Sequence, residues 1–468
     1  MKLIADLTSK TNDILYTYIL VALLVGVGIY YTYRIKFGQM TKLGHMIGLL
    51  REVNQKPDGT RGISSFEAFC ISAASRIGTG NIAGVAAAIA AGGPGAIFWM
   101  WVIAIIGGAT SFIESTLAQV YKVKDPDGTF RGGPAYYIEQ VLGKRWLGLV
   151  FSVIISITFG FMFNAIQANT ISSAVSNSIK INTTIIGAGI VILTGIVIFG
   201  GVRRIADISS KIVPIMATIY MAVALFVVFK NIAEVPRMFA LIIQNAFGMK
   251  AVVGGGIGAA IMNGVRRGLF SNEAGMGSVP NAAATADTSH PAKQGFVQSL
   301  GVYLDTLLVC SATAFIVLLA GEAVYTNPEL KGVMITQTAL SQHVGSWAVG
   351  FLAICILLFS FSSIIGNYYY GESNIEFIGG GKTMLTAYRC LVLVMVFLGS
   401  IGDFSIVWDT GDIWMGVMAI INLVVIVLIG NVAVETYFDY VKQLKEGKDP
   451  VFDPKKIKSI KTKLDYWE

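Results

Sequence analysis

Apolar runs the length of a bilayer-crossing helix alternate with short polar connections along nearly the whole chain. A spanning helix needs about 20 largely apolar residues. Eleven stretches meet that requirement: 14–33, 64–91, 95–121, 146–176, 184–201, 212–230, 252–286, 295–321, 346–370, 383–400 and 412–432. The longest polar stretches, 34–63 and 431–468, are too short to be soluble domains. The pattern predicts an all-α integral membrane protein of 11 transmembrane helices. The first run has no basic segment directly before it and no small-residue cleavage site after it, so it reads as a helix, not a leader.

Two runs break the apolar pattern. The second holds Ser75-Arg76-Ile77-Gly78-Thr79-Gly80-Asn81 near its middle. The seventh holds Asn263-Gly264-Val265-Arg266-Arg267-Gly268-Leu269-Phe270-Ser271-Asn272-Glu273-Ala274-Gly275. Glycines and polar side chains weaken a helix there. Unwound backbone in hydrocarbon is tolerated only where it faces protein or a water-lined cavity. The bland alternative is that these glycines let helices pack closely. Two breaks predict a cavity in which half-helix N-termini attract a carboxylate and free carbonyls attract a cation. With the first helix set aside, the interrupted runs each begin a group of five spans. An odd group inverts its successor, so the spacing predicts a five-plus-five inverted repeat. The divisions are 1–63 (extra helix and loop), 64–230 (first repeat), 231–432 (second repeat) and 433–468 (tail).

Polar side chains converge in two further spans. Asn164 and Gln167 lie at i, i+3 in the fourth and share a face. Ser362, Ser363 and Asn367 lie in the ninth, with Ser363 and Asn367 one turn apart. Hydroxyls so placed can join unwound carbonyls around a small hard cation, although membrane serines also bond back to their own helix. Arg76, Glu114, Arg266, Arg267, Glu273 and Asp305 are charges in or near spans. The arginines are expected to line a cytoplasmic vestibule, paired with Glu273 or another acid.

Composition agrees: 54% of residues are hydrophobic and 13% are charged, against about 25% charged in soluble domains. The net charge of +7 is spread through connections and tail rather than gathered in a patch, so it speaks for topology and not for nucleic acid. Basic residues fill alternate loops: Arg34, Lys36, Lys42, Arg51, Lys56 and Arg61; then Lys122, Lys124, Arg131, Lys144 and Arg145; then Arg203, Arg204 and Lys211; then eight lysines in the tail. This places the N-terminus outside and the C-terminus in the cytoplasm of a multi-pass plasma-membrane protein. The short amphipathic segment after about 436 is expected to be a solvated stub, the alternative being a segment that lies on the membrane surface or binds a regulator. Cys70, Cys310, Cys355 and Cys390 show no CxxC spacing, and His45, His290 and His343 are far apart in sequence, so no disulfide framework or metal knuckle is implied. Gly379-Gly380-Gly381-Lys382-Thr383 resembles the end of a phosphate loop but has Glu376 where a Walker motif needs glycine. No catalytic signature appears, which excludes an enzyme reading.

The chain closely resembles the alanine or glycine:cation symporter family. Four stretches carry the resemblance: Ile77–Gly84, Gly92–Trp101, Gly268–Ser278 and Tyr368–Glu372. It implies the fold of the amino acid–polyamine–cation superfamily and sodium-coupled uptake of small neutral amino acids, with no cofactor beyond the coupling ion. It places Thr79 and Gly80 at the substrate carboxylate and Gln167 at the substrate, and the mechanism expected here has the carboxylate meet the N–H groups of Gly78–Gly80. A sodium site is implied at the carbonyls of Ala74, Ile77 and Phe359 and the hydroxyls of Ser362 and Ser363. Alanine-selective members resemble one another in placing tryptophan where this chain has Asn263 and Asn367. The asparagines therefore predict a wider pocket that takes glutamine or asparagine beside alanine. The rivals are a proton-coupled permease and a channel-like pore, and the second would give flux that neither saturates nor needs a sodium gradient.

Overall fold

In hydrocarbon a segment must satisfy its own backbone hydrogen bonds, so the apolar runs form helices. The computed structural model describes residues 8, 10–52, 62–125, 128–248 and 256–467. The opening helix α1 spans Lys10–Arg34. The second predicted run is two helices, α2 (Ser65–Arg76) and α3 (Gly80–Gly92), the latter opening with a π-helical turn over Gly80–Gly84. A capping box starts α2: Ser64 Oγ accepts from Glu67 N–H at 3.2 Å, and Glu67 Oε2 accepts from Ser64 N–H at 2.8 Å. Next come α4 (Gly95–Val120), α5 (Arg145–Ile179), α6 (Thr183–Ile198), α7 (Gly201–Lys230) and α8 (Val235–Ala246).

The seventh run is again two helices, α9 (Ile257–Asn272) and α10 (Val279–Thr285). Its predicted first positions, 252–255, lie outside the described residues, as do Lys56 and Arg61 of the first basic loop. Then follow α11 (Pro291–Leu319), α12 (Val333–Val344), α13 (Trp347–Ile378), α14 (Gly381–Ile401), α15 (Phe404–Ile429) and α16 (Asn431–Lys445). Among the described residues, eight helices are long and apolar enough to cross a membrane: α1, α4, α5, α7, α11, α13, α14 and α15.

The second break differs from its prediction. Helix α9 is intact from 257 through 272, and the chain leaves it at Glu273, with Gly275 and Gly277 at positive φ. Gly264 and Gly268 serve packing instead. A Cβ at Gly264 would meet Ala96 O and lie 2.7 Å from Trp99 Cβ, and one at Gly268 would lie 3.4 Å from Met100 Cα. The two glycines let α4 approach, which is the bland alternative for that half of the block.

The interrupted helices run antiparallel. Cβ positions built at Gly80, Gly84 and Gly92 meet Phe270, Arg267 and Asn263 in turn, so one helix ascends as the other descends. Their ends are tied together where Asp287 N–H donates to Ile63 O at 2.9 Å. The tail is no solvated stub. Phe452, Ile457 and Leu464 are buried, and Trp467 Nε1–H donates to Gln119 O at 2.9 Å. Lys122 Nζ donates to Ala286 O at 2.8 Å and stands over the rings of Phe130, Tyr466 and Trp467. Four apolar anchors spaced along an otherwise lysine-rich tail are sufficient to seat it.

Candidate functional site

The break in α2 leaves its last carbonyls without helical partners, and the polar face of α13 turns towards them. Ser363 Oγ donates to Ala74 O at 2.8 Å and lies 3.1 Å from Phe359 O. Ser362 Oγ donates to Phe359 O at 2.8 Å. Four of the five residues implied for sodium thus share one cluster joining α2 and α13. Ile77 ends α2 with ψ +88° and lines an apolar cavity of about 480 Å³ between α2, α7 and α11.

One residue beyond Ile77, the backbone meets α5. Thr79 N–H donates to Gln167 Oε1 at 3.0 Å, and Gly78 N–H is taken by Asn81 Oδ1 at 2.9 Å. A Cβ at Gly78 would strike Ser363 Oγ and come within 3.0 Å of Gln167 Oε1. Only glycine fits between the serine and the glutamine. Thr79 Oγ1 lies 2.8 Å from Ser360 Oγ, one turn before Ser363. The Gly80 position faces Phe270 at 3.0 Å. Asn164, expected to share this face, donates to Gly160 O in its own helix at 3.1 Å.

The two departures from tryptophan lie apart. Asn367 is one turn beyond Ser363, buried, and its Oδ1 is 2.6 Å from Ser75 Oγ. Asn263 is seven residues from Phe270, about 10 Å along the helix. It bonds to Ala259 O in its own helix at 2.9 Å and packs at Gly92. The structure does not bring Asn263 to Gly78, Gln167 and Ser363.

Between Asn263 and Gly80 stands a closed layer that the sequence did not disclose. Arg267 forms two bonds with Asp412, Nη1–Oδ1 at 3.2 Å and Nη2–Oδ2 at 2.8 Å, and its guanidinium lies 4.7 Å over the Trp408 ring. Arg266 stands over Tyr16 at 4.6 Å and lies 3.7 Å from Asp412 Oδ2. Below them Phe270 contacts Phe163 and Trp408, with centroids at 4.7 and 5.1 Å. The arginines thus pair with Asp412 and not with Glu273. Unpaired cations within a span signal a distant partner, but the pattern of one sequence does not say which acid 145 positions away supplies it.

Two further buried acids, Glu114 and Asp305, support the breaks. Glu114 accepts Gly275 N–H and Gly277 N–H at 3.1 Å each, and Asn422 Nδ2–H at 2.7 Å. Asp305, in a π-helical turn over Leu304–Cys310, accepts from Asn81 at 2.6 Å, Ser271 at 2.8 Å and Thr306 at 2.9 Å. Both broken helices are therefore pinned to α11. Among the described residues no group of three or more metal-ligating side chains forms, so a cation here depends on carbonyl and hydroxyl oxygens.

A family model described as the sodium:alanine symporter family matches residues 1–454. The amino-acid carrier protein AlsT of Bacillus subtilis (strain 168) is 53% identical over 99% of this chain and 97% of its own length. The probable sodium/glutamine symporter GlnT of the same organism is 52% identical over 96% of this chain and 94% of its own. The sodium/alanine symporter AgcS of Methanococcus maripaludis is 36% identical over 92% and 95%. Among solved structures, a manganese transporter of Eremococcus coleocola superposes with a TM-score of 0.52 at 11% identity, covering 84% of this chain and 92% of that one. That likeness concerns the fold alone.

Proposed function

The chain belongs to the sodium:alanine symporter family, and from that premise we propose that it imports a small neutral amino acid together with sodium by alternating access. The observation that carries the reading is the meeting at one helix break of the Thr79 N–H, the Gln167 side chain that accepts from it and the Ser363–Ala74 oxygen pair. Gln167 Oε1 takes the acceptor position that a substrate carboxylate would take. Substrate binding therefore turns this side chain aside and engages Gly78, Thr79 and Gly80. Sodium would enter between Ser363 Oγ and Ala74 O as the serine O–H turns away with its proton, with Ile77, Phe359 and Ser362 completing an all-oxygen shell. Sodium moving into a negative interior contributes about 2.3 kcal/mol per charge per 100 mV.

Eleven spans, with α1 in front of two inverted groups of five (64–230 and 231–432), are the arrangement we propose. The antiparallel course of α2–α3 and α9 supports it. The basic loops support an outside N-terminus and a cytoplasmic C-terminus in the plasma membrane. Glutamine or asparagine joins alanine as substrate, with Asn367 beside the sodium cluster and Asn263 on the approach beyond the Arg267–Asp412 layer. A relative named for glutamine at 52% identity favours this range. Labelled alanine and glutamine uptake in proteoliposomes, with sodium and proton gradients varied independently, tests the whole. Saturable uptake that follows the sodium gradient is expected, and uptake that is indifferent to sodium overturns it. Failure of excess glutamine to compete with alanine removes the wider pocket.

A further inference from the structure

Ser75 lies next to the end of α2, and Glu273 opens the break after α9. Their side chains join the two breaks: Ser75 Oγ is 2.6 Å from Glu273 Oε1. The same oxygen is 2.6 Å from Asn367 Oδ1, while Ser278 Oγ donates to Glu273 Oε2 at 2.6 Å. A serine hydroxyl has one proton and cannot donate to two oxygens at once. Two proton counts resolve the trio. With Glu273 neutral, its own O–H donates to Ser75, and Ser75 donates onward to Asn367 Oδ1. With Glu273 ionised, Ser75 donates to the carboxylate, and the Asn367 amide must turn to offer its NH2 to Ser75. With Oδ1 towards Ser75 the amide fits the neutral form, and this leaves its buried Nδ2 without a partner among the described residues.

The backbone singles out the same residue. Glu273 sits at φ +57°, where helices ordinarily place glycine. The other described non-glycine residues at positive φ, Lys36, Phe37 and Lys180, are exposed, whereas Glu273 is buried. Such backbone is strained for a residue with a Cβ and persists where its surroundings over-determine it. Arg76 from α2, Asp305 from α11 and the Tyr370 hydroxyl from α13 face Glu273 from neighbouring elements. Glu114 from α4 holds the backbone two and four residues on. Arg76 directs its nitrogens elsewhere, to Gln298 O at 3.1 Å and Ser111 Oγ at 3.3 Å.

We propose that Glu273 is a proton site of the transport cycle: it holds a proton while the two breaks are latched together through Ser75 and Asn367, and gives it up when they part. This rests on the symporter reading. On release the Oε1 proton passes to water on the side to which the site opens. The Ser75 proton then swings from Asn367 to the carboxylate, and the amide reverses beside the substrate. Alkaline solution therefore opposes the latched state, and substrate affinity falls as pH rises.

The test is sodium-driven uptake by the full chain in proteoliposomes, with equal pH inside and outside, measured as KM across the neutral range. The parent's KM is expected to rise with pH, approaching about tenfold per pH unit once the proton is mostly lost. Glu273→Gln, neutral at every pH and able to donate to Ser75, is expected to give a flat profile. A flat parent profile, or a variant that keeps the parent's slope, overturns the proposal. Ser75→Ala keeps the carboxyl and removes the relay, so the midpoint of the KM curve is expected to move. This variant decides alone if Glu273→Gln does not fold, and an unmoved midpoint overturns the proposal. Absence of sodium-driven uptake by the parent at every pH sinks the symporter reading instead, and the proton site with it.

Discussion

At the level of single residues, Ser363 and Gln167 each occupy a position that a ligand claims. Ser363 spends its proton on Ala74 O, and these are the two oxygens the proposed sodium ion would take. Ser363→Ala removes one ligand and leaves the amino-acid contacts in place. Half-saturation for sodium is expected to rise about tenfold, the equivalent of 1.4 kcal/mol, with a smaller change in KM for alanine. Identical sodium activation curves for variant and parent would take the serine out of the site. Gln167→Glu tests the neighbouring claim. A permanent carboxylate beside Thr79 N–H competes with the substrate's own carboxylate and repels it at close range. A KM increase of at least about tenfold is expected, because charge-assisted bonds of this kind contribute about 1.5–3 kcal/mol. Unchanged KM means that Thr79 N–H does not hold the substrate.

At the level of elements, the second break is held by Glu114, whose two oxygens receive Gly275 N–H and Gly277 N–H. Glu114→Gln keeps one acceptor and turns an NH2 towards a donor, while Glu114→Ala strands both N–H groups. Each stranded buried donor costs about 1–3 kcal/mol, so the thermal midpoint of detergent-purified protein should fall for Gln and fall further for Ala. Equal midpoints for parent and Ala variant would show that the acid does not support the break. The breaks themselves were legible in the sequence, because clusters of glycine and amide residues weaken a helix in the middle of a span. The first, anticipated within Ser75–Asn81, lies there, between Arg76 and Gly80. The second was anticipated from Asn263 but begins at Glu273, because a glycine that packs and a glycine that unwinds look alike until the neighbouring helix is known. Gly264 and Gly268 pack on α4. Ser363, Ser362 and Gln167 were legible as polar faces at helical spacing. The Arg267–Asp412 pair and the Phe163–Phe270–Trp408 stack were not, since their members sit on α5, α9 and α15 and meet only after folding. The π-helical turn at Asp305 was equally hidden, for no local composition marks it.

At the level of the whole molecule, side chains in the connections fasten the ends of the spans, and histidines at both ends give the fold a pH signature. His290 is fully buried beside the rings of Tyr440 and Phe452 and caps α11 by accepting Ala292 N–H at 3.2 Å. Burial holds its ring below the ordinary value of 6.5, against the pull of Asp439. Burial does the same to His45 and to His343, both outside the spanning helices, with nearby lysines adding to the effect. A histidine that binds its proton less readily when folded makes the unfolded state the better proton acceptor just below 6.5. Stability is therefore complete above that pH and declines as pH falls through it. The His290 hydrogen bond holds Asp439 below its ordinary 3.8, so its contribution is present above that value and is lost only in stronger acid. The thermal midpoint of the purified protein is expected to fall on mild acidification. His290→Asn, which can still cap α11, should remove part of the fall, and an undiminished slope would assign it to other groups. The Glu273 proton site acts on a different quantity with the opposite consequence: acid tightens substrate binding through the latch while it weakens the fold through the histidines. KM and thermal midpoint should therefore both decrease as pH is lowered, and Glu273→Gln should uncouple them by flattening KM while the midpoint still falls.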